Sequence, residues 1–159
     1  ITGPDDVHEM AREVRRQGGV LSVNHDKPGL PWLHDWPEPD CMEVWQHPWL
    51  ARNWVSLDRW QRRLASGARL PAIGGSDWHQ PSDLRPEGPY TLARPTTVLH
   101  LPELSEDAVL SATRAGRGYI TEAPDGPHLD LRIGSAGMGG NAAPGDPVHV
   151  HVTGASAMS

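Results

Sequence analysis

The chain has 159 residues, 20 of them acidic and 14 basic for a formal charge of −6, with nine histidines, seven tryptophans, no phenylalanine and one cysteine. A phosphate-backbone partner would call for a basic face, so nucleic acid is excluded; the lone Cys41 excludes both an internal disulfide framework and a cysteine-rich zinc module. No stretch approaches the roughly 18 apolar residues of a membrane span and no signal peptide is visible, so the sequence reads as soluble, cytoplasmic or periplasmic, with no membrane partner.

Thr2 to Asp5 make a helix start, and Val7, Met10, Ala11 and Val14 follow at i, i+3, i+4 and i+7, with Arg15 and Arg16 near the negative end and Gly18-Gly19 as the stop, which predicts a helix over about 4–17. Val20 to Val23 form a short apolar strand. Residues 24–40, with four prolines and two tryptophans, predict a long loop, and a second strand follows at 41–45. Asn53 is placed to cap a helix of about 54–66 with Trp54, Leu57, Trp60 and Leu64 inward and Gly67 as its stop. A strand is expected at about 69–73, then a polar loop and a Pro-rich connection through 95, a strand at 96–99, a helix of about 106–115 capped by Ser105 and ended by Gly116, and a strand at 118–121.

Alternation of short apolar strands with helices predicts a parallel sheet with helices outside. From Pro124 the pattern changes: His128–Ile133 and Val148–Val152 alternate like strands with no helix after them, which places a boundary near 123–127 and the start of a small antiparallel β unit over 124–159. A complete α/β barrel needs roughly 250 residues, so 1–123 is expected to be part of one. A start at Ile1 and an end at Ser159, just after an apparent strand, read as a fragment.

The candidate chemistry sits where strands end. Ile73-Gly-Gly-Ser-Asp77-Trp-His79 places a carboxylate and an imidazole two residues apart, and in an extended backbone i and i+2 point the same way while Trp78 packs to the other side. An Asp/His pair suits zinc, manganese or iron. Asn24-His25-Asp26-Lys27 follows the first strand, and Glu43 lies in the second. Strand C-terminal ends are where parallel α/β architectures build their sites. Lys27, Arg52 and Arg85 are candidates to neutralise an anionic substrate, and His34 and His47 to act as general acids. Ser76 lacks the surroundings of a nucleophile elbow.

In this order, Gly18-Gly-Val-Leu-Ser-Val-Asn-His25, Met42-Glu43-Val-Trp, Gly67 after a helix, Ile73-Gly-Gly-Ser-Asp77-Trp-His79, and Ser105 through Thr121 with Gly116 resemble the second half of the polymerase-and-histidinol-phosphatase (PHP) superfamily, most similarly its carbaryl-hydrolase-like (CehA/McbA-type) branch. The resemblance covers about residues 5–134. It implies the second half of a distorted (β/α)7 PHP-type barrel, with two or three divalent ions (Zn, Mn or Fe) at the strand ends, hydrolysing a small-molecule ester or phosphoester. His25, Asp77 and His79 match metal ligands; Glu43 and Gln46 match a glutamate-and-amide position near the pocket, and Glu43 is counted with the catalytic set.

The family's HxH motif on the first barrel strand, and the Asp-His pair after it, have no counterpart here. The only HxH is His149-Val150-His151 in the β region, read as a solvated strand face. Three ligands suffice for one open catalytic position but not for a full cluster, so the chain is expected to hydrolyse little by itself. The alternative from a different class is a carbohydrate- or ligand-binding module in which the tryptophans form a stacking platform and no metal is held.

Overall fold

The computed structural model describes residues 3–79 and 91–155. Helix α1 spans Pro4–Arg16, with Asp6 accepting from the Gly3 amide at 3.2 Å. Val7 and Ala11 are buried, whereas Met10 is exposed, so the apolar stripe is narrower than the sequence pattern implies. Arg15 reaches out of the helix and donates to the Pro37 carbonyl at 3.0 Å, tying the long loop to α1.

Three parallel strands follow: β1 (Ser22–Val23), β2 (Cys41–Gln46) and β3 (Ala72–Gly75), with β2 central. β1 is shorter than the expected 20–23 because the Leu21 amide goes to the Asp40 carboxylate at 2.9 Å rather than to a ladder partner. β3 begins later than the expected 69–73: Leu70 gives its carbonyl to the Trp60 indole at 2.7 Å, and Pro71 has no N–H to pair. It also runs through the two glycines that were expected to break it. A Cβ on Gly74 would stand 2.6 Å from Ile120 Cγ2, so glycine is what lets this strand pass its neighbour.

Helix α2 (Asn53–Ala65) lies between β2 and β3. Arg52, in a left-handed conformation, takes the cap position expected of Asn53, whose side chain is engaged elsewhere. The inward face is also rotated from the expected one. Trp54 is 50% exposed and Leu57 37%, while Asn53 and Ser56 are buried and Trp60 and Leu64 pack on the core of Met42, Val44 and Leu70.

Strand β4 (Thr96–Leu99), helix α3 (Glu106–Ala115) and strand β5 (Gly118–Thr121) match their expected ranges, and the Ser105 hydroxyl accepts from the Ala108 amide at 3.2 Å as a cap should. Their pairing corrects the parallel-sheet expectation. β4 and β5 are antiparallel, with Leu99 opposite Gly118, because 100–105 carries the chain out and α3 returns it to the end it left; His100 N to Arg117 O at 2.8 Å extends the ladder. β6 (His128–Ile133) and β7 (Val148–Thr153) form a separate antiparallel hairpin. The described residues thus form a mixed α/β arrangement of three helices and three small sheets, without a closed barrel. No helix among them is long and apolar enough to cross a membrane.

Candidate functional site

The site is assembled at the C-terminal ends of β1, β2 and β3. His25 lies two residues past β1, Gln46 ends β2 with His47 next, and Asp77 and His79 follow β3. Parallel strands deliver these ends side by side. His25 (φ 60°), His47 (φ 58°) and Asp77 (φ 50°) each adopt the left-handed region within two residues of a strand end, a conformation that His and Asp tolerate better than most side chains but that carries a conformational cost. Asp77 therefore departs from the extended backbone expected of it, and its convergence with His79 comes from a turn rather than from strand alternation.

Asp77 is the hub. Its Oδ1 lies 2.9 Å from His79 Nε2 and 3.9 Å from His25 Nε2; its Oδ2 accepts from Gln46 Nε2 at 2.5 Å and lies 3.0 Å from His47 Nε2. His25 turns its Nδ1 to Glu43 Oε2 at 2.7 Å. Glu43 and Gln46 are three residues apart and would point to opposite faces of a regular strand. The register between β2 and β3 slips between Glu43 and Trp45, and the one extra residue on β2 restores both to the same cluster.

Burial and charge set the protonation tendencies. Burial raises the Glu43 pKa, against the pull of His25. Asp77 would also be raised by burial, but the Gln46 amide and the imidazoles of His25, His47 and His79 outweigh that and hold it below the ordinary carboxylate value. His47 is lowered by burial despite Asp77. Lys27, a candidate to neutralise an anionic substrate, is only 4% exposed, and burial lowers its pKa while Glu43 and Asp77 oppose the shift.

Lys27 is held by a residue with no motif signature. Asn53 is fully buried; its Oδ1 accepts from Lys27 Nζ at 3.0 Å and from the Gln46 amide at 3.0 Å, and its NH2 donates to the carbonyls of Gln46 (2.8 Å), Pro48 (3.1 Å) and Trp49 (3.2 Å). Next to His25 in the chain, buried Asp26 is anchored by Arg59 and by the Trp32 amide at 3.1 Å. A helix face bearing Asn53, Ser56 and Arg59 was the available signal, masked in sequence by the tryptophans and leucine interleaved with it.

Histidines and carboxylates are the right donor types for zinc or manganese. With metal–ligand bonds of about 2.0–2.2 Å, tetrahedral neighbours stand about 3.3–3.5 Å apart, and the separations of 2.9 and 3.9 Å from Asp77 Oδ1 bracket that value. As they stand the donors are engaged with one another. Among the described residues, no three His, Cys, Asp or Glu side chains form a group that could hold a metal ion. Gln46 Oε1, in the same cluster, is buried without a partner.

Other expected residues lie elsewhere. His34 packs edge-on against Trp32 at 5.7 Å, Arg52 is exposed at the start of α2, and His149 and His151 are exposed on β7. Arg85 falls outside the described residues. The tryptophans do not form a common platform: Trp36 lies under Arg63 at 3.9 Å, Trp60 is bonded to Leu70, and Trp45 and Trp49 make a corner at 5.2 Å and 74°. No family model, curated protein or solved structure matches this chain.

Proposed function

We propose that this chain carries the metal site of a hydrolase acting on a small ester or phosphoester, in keeping with the PHP-like motif order and with a partial barrel of that type. The observation that carries the reading is the meeting of His25, Gln46, His47 and His79 on Asp77 at three adjacent parallel strand ends. His25, Asp77 and His79 hold a divalent ion, and Glu43 fixes the ring of His25 through Nδ1, leaving Nε2 facing Asp77, as carboxylates do for metal-ligating histidines. The ion would supply a water acidic enough to give hydroxide near neutral pH.

The protein's own groups supply the rest. Gln46 orients Asp77, and Lys27, fixed by Asn53, provides an interior positive charge beside the two carboxylates. His47, within reach of Asp77 Oδ2 and held toward its neutral form by burial, is placed to accept a proton rather than to give one.

Calorimetric titration of Zn²⁺ and Mn²⁺ into the chain tests the reading, alongside turnover of a generic phosphodiester and an aryl ester. Saturable binding near one ion per chain is expected, with Asp77→Asn weakening it by more than the roughly 10–100-fold loss typical of an outer-shell partner. Absence of binding, or metal-dependent turnover that survives Asp77→Asn, would remove the assignment.

A further inference from the structure

A cleft of about 400 Å³ opens beside the Asp77 cluster, lined by Trp45, His47, Trp49, Arg94, Pro95 and Glu122 among others. His47 belongs to both: its Nε2 is 3.0 Å from Asp77 Oδ2, and its backbone carbonyl accepts from the Trp45 indole at 3.1 Å. That hydrogen bond uses the only donor of Trp45 and fixes its ring. Trp49 meets it at 74° with centroids 5.2 Å apart, so the two rings form a corner offering a face on one side and an edge on the other. A flat π-system can satisfy both at once, by offset stacking and edge-to-face contact.

The rim carries a cation. Arg94 is half-exposed, and its Asp125 partner, 3.7 Å away, is 84% exposed, a pairing too loose and too wet to satisfy the guanidinium. An arriving carboxylate or phosphate can take the bidentate geometry that Asp125 does not occupy.

We infer that this cleft binds a planar aromatic group bearing an anionic substituent, with the ring in the Trp45/Trp49 corner and the anion at Arg94. The inference names the substrate feature of the site proposed above and depends on that reading for turnover, though not for binding. The cleft's size is within the ordinary range for small-molecule sites, roughly 300–1,000 Å³.

The test uses the full chain in chelator, so that binding is read apart from metal. Indole-3-acetate is the probe, compared by calorimetry with tryptophol, which lacks the charge, cyclohexylacetate, which lacks the aromatic ring, and methyl glucoside. Indole-3-acetate should bind about tenfold more tightly than any of the three. Arg94→Gln should bring it to the level of tryptophol. Trp49→Leu, which keeps apolar area but removes the ring, should bring it to the level of cyclohexylacetate; circular dichroism checks that each variant folds, and Arg94→Gln, at an exposed position, stands as the second arm. Equal affinity for the charged and neutral indoles, tighter binding of the glucoside, no binding, or indifference to both substitutions overturns the inference. Probe binding without metal binding would leave the cleft standing and remove the hydrolase reading, and the reverse result would do the opposite.

Discussion

Asn53→Ala is the substitution whose consequence follows most directly from the structure. The side chain is fully buried and makes five hydrogen bonds, linking Lys27, Gln46 and the turn through Pro48 and Trp49. Truncation leaves the Lys27 ammonium and the Gln46 amide without their acceptor in a dry interior. An unpaired buried charge-assisted bond costs about 1.5–3 kcal/mol and each neutral bond about 0.5–1.5 kcal/mol; because three of the carbonyls share one NH2 group, the expected loss is about 4 kcal/mol rather than a full sum. Urea unfolding followed by tryptophan fluorescence reads this as a lower midpoint with unchanged slope. Lys27→Met removes the charge while leaving Asn53 its other bonds, so it should cost within about 1 kcal/mol or stabilise. The double variant should then be less destabilised than the sum of the two by about 1–2 kcal/mol. A loss below about 1 kcal/mol for Asn53→Ala, or strict additivity, would refute the claim that Asn53 holds a buried lysine.

Three further outcomes are expected. Trp78 Nε1 is buried without a partner, so Trp78→Phe, which keeps most of the ring and deletes the orphan donor, should leave the melting temperature unchanged or raised, whereas Trp78→Ala should cost about 3 kcal/mol, the lower part of the range for a large-to-small change at a partly buried site. A Cβ on Gly118 would lie 2.3 Å from the Val98 carbonyl oxygen, so Gly118→Ala should cost about 2–3 kcal/mol by urea titration, as overpacking against rigid backbone does. His47 has a folded pKa depressed by burial below its ordinary 6.5, so its contribution is present above that value and is lost as pH falls through the folded pKa; Asp77, also depressed, adds a second acid limb below 3.8, while Glu43, raised by burial, opposes them. Stability measured by urea titration across pH should fall below about 6.5, and His47→Gln should flatten that upper limb while leaving the acid one.

Much of the scaffold was legible because local rules were obeyed locally. Ser105 caps α3, Gly116 ends it, and the alternation of His128–Ile133 and Val148–Thr153 gives a hairpin. Strand direction was not legible for β4 and β5, since it depends on where α3 returns the chain, and no residue in 100–117 encodes that by itself. The inward face of α2 was misread for a related reason. The period of Trp54, Leu57, Trp60 and Leu64 is helical, but the site requires polar Asn53, Ser56 and Arg59 beneath the sheet ends, and a polar stripe carries no apolar signal.

The same distinction separates the parts of the candidate site. His25, Asp77 and His79 could be picked out because residue type and position after a strand suffice to suggest them. Their common focus on Asp77, and the inclusion of both Glu43 and Gln46, depend on a one-residue slip in β2 that no composition rule announces. The slip brings Glu43 to His25 and Gln46 to Asp77, while the left-handed turns at His25, His47 and Asp77 bend three chain segments toward one another. Such turns in non-glycine residues persist only where the surroundings hold them, and the buried Asn53 and Asp26 networks lie directly behind two of the three. Among the described residues, three of the six non-glycine positions with positive φ meet at this polar focus, the others being Glu38, Arg52 and Ala93, and hydrogen-bonded buried groups lie beneath two of the three.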